Sequence, residues 1–152
     1  VNAVVGDVLA LLEHQFEKSS VKIRRELAAG RIPVVGFEFK LQQVFLNLFL
    51  NARDAMPSGG WLTIATRLDG GEVVAEVSDT GTGIPSAHLD RIYDPFFTTK
   101  PIGQGTGLGL SITYGIVREH DASIQCQSAP GQGTRFTLRL KLAQANAQLA
   151  AM

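Results

Sequence analysis

The chain is predicted to be an α+β protein, a two-layer α/β sandwich with helices on one face of a mixed, mostly antiparallel sheet. Three observations carry this. Helical periodicity recurs in three separated runs, two pairs of alternating apolar and polar runs are each joined by a glycine-rich turn, and helices and hairpins are interspersed without strict βαβ alternation. The 152 residues, 45% of them hydrophobic, fit one domain with a real core. Fourteen basic and fourteen acidic residues (14 and 14) cancel to a net charge of +0, so no global field draws the chain to nucleic acid or an anionic membrane. One cysteine, Cys126, excludes an internal disulfide and a cysteine-based zinc cluster. No apolar run reaches the length of a membrane span, and the start lacks a signal-peptide pattern, so a cytoplasmic location is expected. The chain opens on Val1 within an amphipathic pattern, as expected of a piece of a longer polypeptide.

Val4, Val5, Val8, Leu11, Leu12 and Phe16 recur at helical spacing and predict a helix over 2–18. Val21, Ile23, Arg25 and Leu27 alternate, and Val34-Val35 follows Pro33, predicting two short strands. A long helix is predicted over 38–56, closed by Pro57-Ser58-Gly59-Gly60. Strands over 61–68 and 73–79, joined by Asp69-Gly70-Gly71, make a hairpin. Residues 80–105 are rich in Gly, Pro and Thr, with one short turn around 87–92, and read as a lid or binding loop. A helix over 106–119 follows, then strands over 123–127 and 134–140 split by the turn 129–133. The domain is expected to occupy 1–142, with an Ala/Gln-rich tail over 143–152.

Three groups of residues could carry chemistry. Gly103-Gln104-Gly105-Thr106-Gly107-Leu108-Gly109 sets a glycine at every second position ahead of an apolar helical stretch. Such a run either lays backbone N–H groups against phosphate oxygens or serves as a plain flexible turn. In the helix over 38–56, which is apolar nearly all round, Asn47, Asn51 and Asp54 form a polar stripe. Their amides and carboxylate either satisfy loop backbone or face a ligand, with an Asn oxygen as one hard ligand to Mg²⁺. Asp79 ends a strand on the same face as Val73, Ala75 and Val77, so its carboxylate needs a donor. The exocyclic amine of adenine is one such donor, and the residue's own turn is the other. Competing motifs are missing. There is no Gly-Lys-Ser/Thr, Leu108 breaks the dinucleotide fingerprint begun at Gly103, and neither His-Arg-Asp nor Asp-Phe-Gly occurs. His14, His88 and His120 lie far apart, with no zinc-hydrolase or serine-nucleophile pattern.

Taken in order, the motifs resemble those of sensor histidine kinases. Residues 43–56, from Gln43 to Met56, resemble the N box, and Asp79-Thr80-Gly81-Thr82-Gly83 the first glycine box. Asp94-Pro95-Phe96-Phe97-Thr98-Thr99-Lys100 resembles the phenylalanine box, residues 103–110 the second glycine box, and Gly131-Gln132-Gly133-Thr134 the last glycine motif. The wording is similar to the nitrogen-regulation and sporulation-kinase type. The resemblance implies the Bergerat ATP-binding fold, shared with gyrase, the Hsp90 chaperones and the MutL repair proteins, and a long ATP lid. It implies ATP and Mg²⁺ as cofactors. Asn51 would coordinate the Mg²⁺, Asp79 would accept from the adenine amine with Thr134 in support, Gly105, Gly107 and the helix start at Thr106 would hold phosphate, and Lys100 would approach the terminal phosphates. The implied nucleotide set also takes in Asn47, Asp54, Gly81, Gly83, Ile84, Thr99, Gly103, Leu108 and Gly109, with Asn47, Asn51 and Lys100 as the catalytic group.

The same resemblance implies transfer of the γ-phosphoryl group to a histidine. No histidine here has the phosphoacceptor context: Gln15 follows His14, Leu89 follows His88 and Asp121 follows His120. The acceptor is therefore expected on a dimerisation domain outside this chain, in a homodimeric parent, with a response regulator downstream, no nucleic-acid partner, and this piece monomeric. Hydrolysing relatives place a general-base glutamate where Asn47 stands, and an amide takes no proton at neutral pH. A Bergerat-fold ATPase, a serine kinase and a nucleotide-binding module without catalysis are the alternatives. Two stretches depart from the family pattern: Gly36-Phe37 replaces Gly-Asp, and His120-Asp121-Ala122 replaces His-Gly-Gly.

Overall fold

The N-terminal stripe folds as a 17-residue helix, α1 (Asn2–Lys18), in a computed structural model that describes residues 1–30, 32–98 and 108–143. Val4, Val5, Val8, Leu9, Leu12 and Phe16 are its buried residues. Leu11, counted in the apolar series, is 71% exposed, and Leu9 lies inside instead. Strand β1 (Val21–Glu26) follows. The strand expected at Val34-Val35 reduces to a single antiparallel bridge between Val34 and Leu142, because Pro33 before it and Gly36 after it leave no room for a ladder.

Helix α2 (Glu38–Asp54) ends two residues short of the expected 56, capped by Ala55, although Met56 still packs inside. Leu41, Val44, Phe45, Leu48, Phe49 and Ala52 are buried along it, with the Phe45 and Phe49 rings 5.9 Å apart. The hairpin forms from β2 (Gly60–Asp69) and β3 (Glu72–Asp79). Among the described residues of the long loop that follows, one short helix forms, α3 (Ser86–Leu89). Helix α4 (Gly109–Glu119) begins within the described residues at Gly109, with Leu108 as its N-cap; the start expected at Thr106 lies outside them. Strands β4 (Ser123–Ser128) and β5 (Thr134–Lys141) each run one residue beyond expectation. The expected tail lies outside the described residues from 144 onward.

The five strands form one mixed sheet in the order β1-β2-β3-β5-β4. Only β1 and β2 pair in parallel, and α2 is the crossover between them. The other three pairings are antiparallel. Period two turns Leu62, Ile64, Ala75, Val77, Phe136, Leu138 and Leu140 toward the helices, where they meet the buried faces of α1 and α2. Each large side chain so buried contributes about 1.5–3 kcal/mol.

The two stretches that depart from the family pattern touch each other. The Phe37 N–H donates to His120 Nε2 at 3.1 Å, the Phe37 ring meets the imidazole edge-on, and His120 Nδ1 lies 2.7 Å from the Ile116 carbonyl. Accepting at Nε2 leaves Nδ1 to donate, so this clasp between the start of α2 and the end of α4 is built for a neutral imidazole. Asp121, where the pattern has glycine, takes φ +50°, a conformation aspartate tolerates better than most residues.

Candidate nucleotide site

A cleft of about 450 Å³ opens between α2, the loop after β3, α3 and the start of α4, floored by the ends of β3 and β5. Its location follows from register: Asp79, last in β3, pairs with Thr134, first in β5, so both inward-facing side chains come to one point at the sheet's end. Asp79 Oδ1 accepts from the Gly81 N–H at 2.9 Å and the Thr134 N–H at 3.2 Å. Both bonds fall on one oxygen, and Oδ2 has no protein partner among the described residues. Burial pushes the Asp79 carboxyl above its ordinary range, and the two N–H bonds draw it back part of the way.

The loop from Thr80 to Ile84 is fixed on both sides. Thr82 N–H donates to the Ala55 carbonyl at the end of α2, and its own carbonyl accepts from the Gly131 N–H. Such a path brings backbone onto backbone. Gly83, at φ +75°, has the Ala129 carbonyl where a Cβ would stand, and Gly133, at φ +77°, has the Asp79 carbonyl there. A side chain at either position collides and is strained, which is why the sequence is glycine at these points.

Helix α2 brings the polar stripe to the opposite wall. Asn47, Asn51 and Asp54 all line the cleft. Asn47 Nδ2 donates to the Gly109 carbonyl at 3.1 Å and lies 3.3 Å from Thr113 Oγ1, tying α2 to the first turn of α4. The Asn51 side chain has no protein partner among the described residues, so its amide is offered to the cleft. Asp54 pairs with the neighbouring Arg53 at 3.0 Å, and Arg53 also donates to Gln15.

Gly81, Gly83, Ile84, Thr134 and Gly109 are brought to this cleft or its immediate frame, as is Leu108, whose carbonyl accepts from Ile112. Thr99, Lys100, Gly103, Gly105, Thr106 and Gly107 lie outside the described residues. Phe97 lines the cleft and meets the His88 ring at 5.5 Å, whereas Phe96 is 74% exposed. Tyr93 stacks on Tyr114 at 4.9 Å, and burial pushes its hydroxyl well up. Cys126 is half-buried, with its thiol pushed up to about 11 by burial and the nearby Asp79 charge.

Sequence reasoning missed Ser128. Its hydroxyl donates to the Gly133 carbonyl, accepts from the Ile84 N–H at 2.7 Å and meets Thr134 Oγ1 at 2.8 Å, so it joins loop, turn and strand behind Asp79. The available signal was parity alone: Ile124, Cys126 and Ser128 share the inner face of β4.

A half-buried carboxylate at the end of a central strand, an amide opposite it and a glycine-framed wall make a polar cleft at one end of an α/β sandwich. The model of the histidine kinase-, DNA gyrase B- and HSP90-like ATPase family matches residues 36–144, and the chain belongs to that family. Its relatives are sensor kinases. It is 40% identical to sensor kinase CckA of Brucella abortus (strain 2308) over 90% of this chain and 16% of that protein. It is 41% identical to sporulation kinase A of Bacillus subtilis (strain 168) over 89% of this chain and 22% of that protein. The chain thus spans about a fifth of those relatives. Among solved structures, the nucleotide-free catalytic domain of histidine kinase ThkA superposes with a TM-score of 0.83 at 30% identity, covering 93% of this chain and 91% of that one. Full-length ShkA in complex with AMPPNP superposes at 0.81 with 25% identity, over 93% of this chain and 30% of that one. Fold and family together make this a histidine-kinase-type catalytic ATPase domain.

Proposed function

We propose that the chain binds Mg·ATP in this cleft, on the cytoplasmic side, and presents the γ-phosphoryl group to a histidine carried outside it, on the dimerisation domain of a homodimeric sensor kinase, with a response regulator as the final acceptor. The observation that carries the reading is the Asp79 carboxylate, held by two backbone N–H groups on one oxygen and open on the other. Such an acceptor suits the exocyclic amine of adenine and refuses a carbonyl at the same place. Thr134 and Ser128 fix its plane, Gly81 and Gly83 let the base lie against backbone, and Ile84, Ile92 and Phe136 offer apolar wall.

Asn51 fits the metal by its chemistry: one hard amide oxygen, with no partner among the described residues, where no three His, Cys, Asp or Glu converge elsewhere. One protein oxygen suits an ion whose other ligands are phosphates and water. The chemistry such an ion supplies when bound is neutralisation of charge on the phosphates. Gly109 and Leu108, with Thr99, Lys100, Gly103, Gly105, Thr106 and Gly107 on the segment between, complete the proposed phosphate side, and Asp54, paired with Arg53, is a further member of the nucleotide set. Asn47 is the reason for preferring transfer to hydrolysis. Its nitrogen is committed to Gly109 and Thr113, and an amide cannot accept a proton from water. It therefore serves as a positioning strut.

Calorimetric titration with a slowly hydrolysed ATP analogue, with and without Mg²⁺, tests the site. Wild type should bind, Asp79→Asn should bind about 10- to 100-fold more weakly, and Asn51→Ala should lose the gain conferred by Mg²⁺. Undiminished binding by Asp79→Asn sinks the assignment.

A further inference from the structure

The outer face of the sheet, turned away from the helices, gathers positive charge at the end nearest the nucleotide cleft. Across one row stand Arg24, Thr63, Ser78, Arg135 and Gln127, one from each strand in sheet order. In the next row toward the strand ends, Lys22 pairs with Trp61. The guanidinium of Arg24 lies 4.9 Å and the ammonium of Lys22 5.5 Å from the Trp61 ring, which is 40% exposed. Farther along the same face the charges are mixed and paired: Arg67 with Glu76, Arg139 with Asp69 and Glu72. Lys22, Arg24 and Arg135 have no carboxylate partner among the described residues, and the polar contact of Arg135 is the Ser78 hydroxyl at 3.3 Å. Beside Arg135 lies a second concavity of about 400 Å³ at the sheet's end, lined by Ser78, Gln127, Gln132 and Arg135 and, on its inner side, by Asp79 and Thr134.

We propose that this end of the outer face binds an acidic segment of a polypeptide, laid extended across the strands. Charge complementarity is the argument: three cations without a carboxylate partner among the described residues share one end of this face on a chain whose net charge is +0. Geometry narrows the ligand. Strands lie about 4.8 Å apart, so the three steps from Arg24 to Arg135 span roughly 14 Å, or about four residues of extended chain. The segment that fits carries carboxylates about four residues apart, with an apolar group between them over Trp61. A nucleic acid fits less well, since three cations and one aromatic ring are few beside the long charged tracks and serial stacking platforms that strands require. The cations and Trp61 stand on the sheet face opposite the cleft and none of them lines it, although the concavity beside Arg135 reaches round the sheet's end to Asp79 and Thr134, so the inference does not rest on the nucleotide reading.

Trp61 is the single tryptophan of the chain, and its emission reports the patch directly. The test titrates the whole chain with a short peptide bearing two glutamates about four residues apart, a glutamine-substituted copy, and oligothymidylate of the same charge, each with and without AMPPNP. Saturable change with the glutamate peptide alone, retained with nucleotide bound and weakened about tenfold by Arg24→Glu or Arg135→Glu, supports the proposal. The milder Arg24→Gln and Arg135→Gln should weaken it in the same order. Equal response to the glutamine copy, tighter binding of oligothymidylate, displacement by AMPPNP, or indifference to all four substitutions overturns it.

Discussion

Asp79 shows how one carboxyl answers to two opposing demands. Recognition of an amine needs the ionised form, whereas burial favours the protonated one, so the group sits above the ordinary 3.8. On acidification, nucleotide affinity should therefore fall at a higher pH than an exposed aspartate would dictate, as the carboxyl takes up its proton and loses its free acceptor. For folding of the empty protein the sign is reversed. A folded value above the unfolded one gives stability that is fully present below 3.8 and lost as pH rises through the raised value. Calorimetric dissociation constants measured from about pH 4.5 to 7 should show the affinity loss, and Asp79→Asn should flatten the profile. Asp79 was legible because strand parity puts it among Val73, Ala75 and Val77. Ser128 was not, because its three partners lie in three different segments and only the fold brings them within reach.

At the level of elements, helices with strong periodicity were read with nearly correct bounds, and the phase of the stripe was where reading failed. At 100° per residue, the stripe through Val4, Val8, Leu12 and Phe16 leaves Leu9 and Leu11 each about 80° from its centre, on opposite sides. Spacing makes the two leucines equivalent, and packing separates them: the flank that carries Val5 and Leu9 is buried, and the flank that carries Leu11 is open to water. Leu9→Ala should cost about 2–5 kcal/mol and Leu11→Ala within about 0.5 kcal/mol, compared by urea denaturation midpoints. The parallel pairing of β1 with β2 was likewise not legible in detail, because alternation reports which face a residue takes and says nothing of which strand lies alongside. The clasp of Phe37 on His120 joins two stretches that each looked like a separate anomaly, and their contact became visible only once α2 and α4 lay side by side.

For the molecule as a whole, a site shared by α2, α4 and the sheet makes ligand binding and folding one equilibrium. Nucleotide at about 100 times its dissociation constant should add about 2.7 kcal/mol of stability, a rise of roughly 5–10 °C in melting temperature for a domain of this size. Thermal scans with and without AMPPNP check this, and at the same concentration Asp79→Asn should show far less of the rise. The ordered set of motifs made this architecture legible before any coordinates, whereas the unpaired cations of the outer face are scattered over three strands and form no motif. The chain between Ile84 and Leu108 is tethered at both of its ends. It leaves from a loop pinned by Ala55, Gly131 and Ser128, and it returns to a helix pinned by Asn47. Between two such moorings a stretch can be lengthened, trimmed or exchanged at little cost, since doubling a loop adds only about 0.6 kcal/mol of closure entropy. The length and sequence of that stretch are thereby free to diverge among relatives of this domain while the floor formed by β3 and β5 stays put.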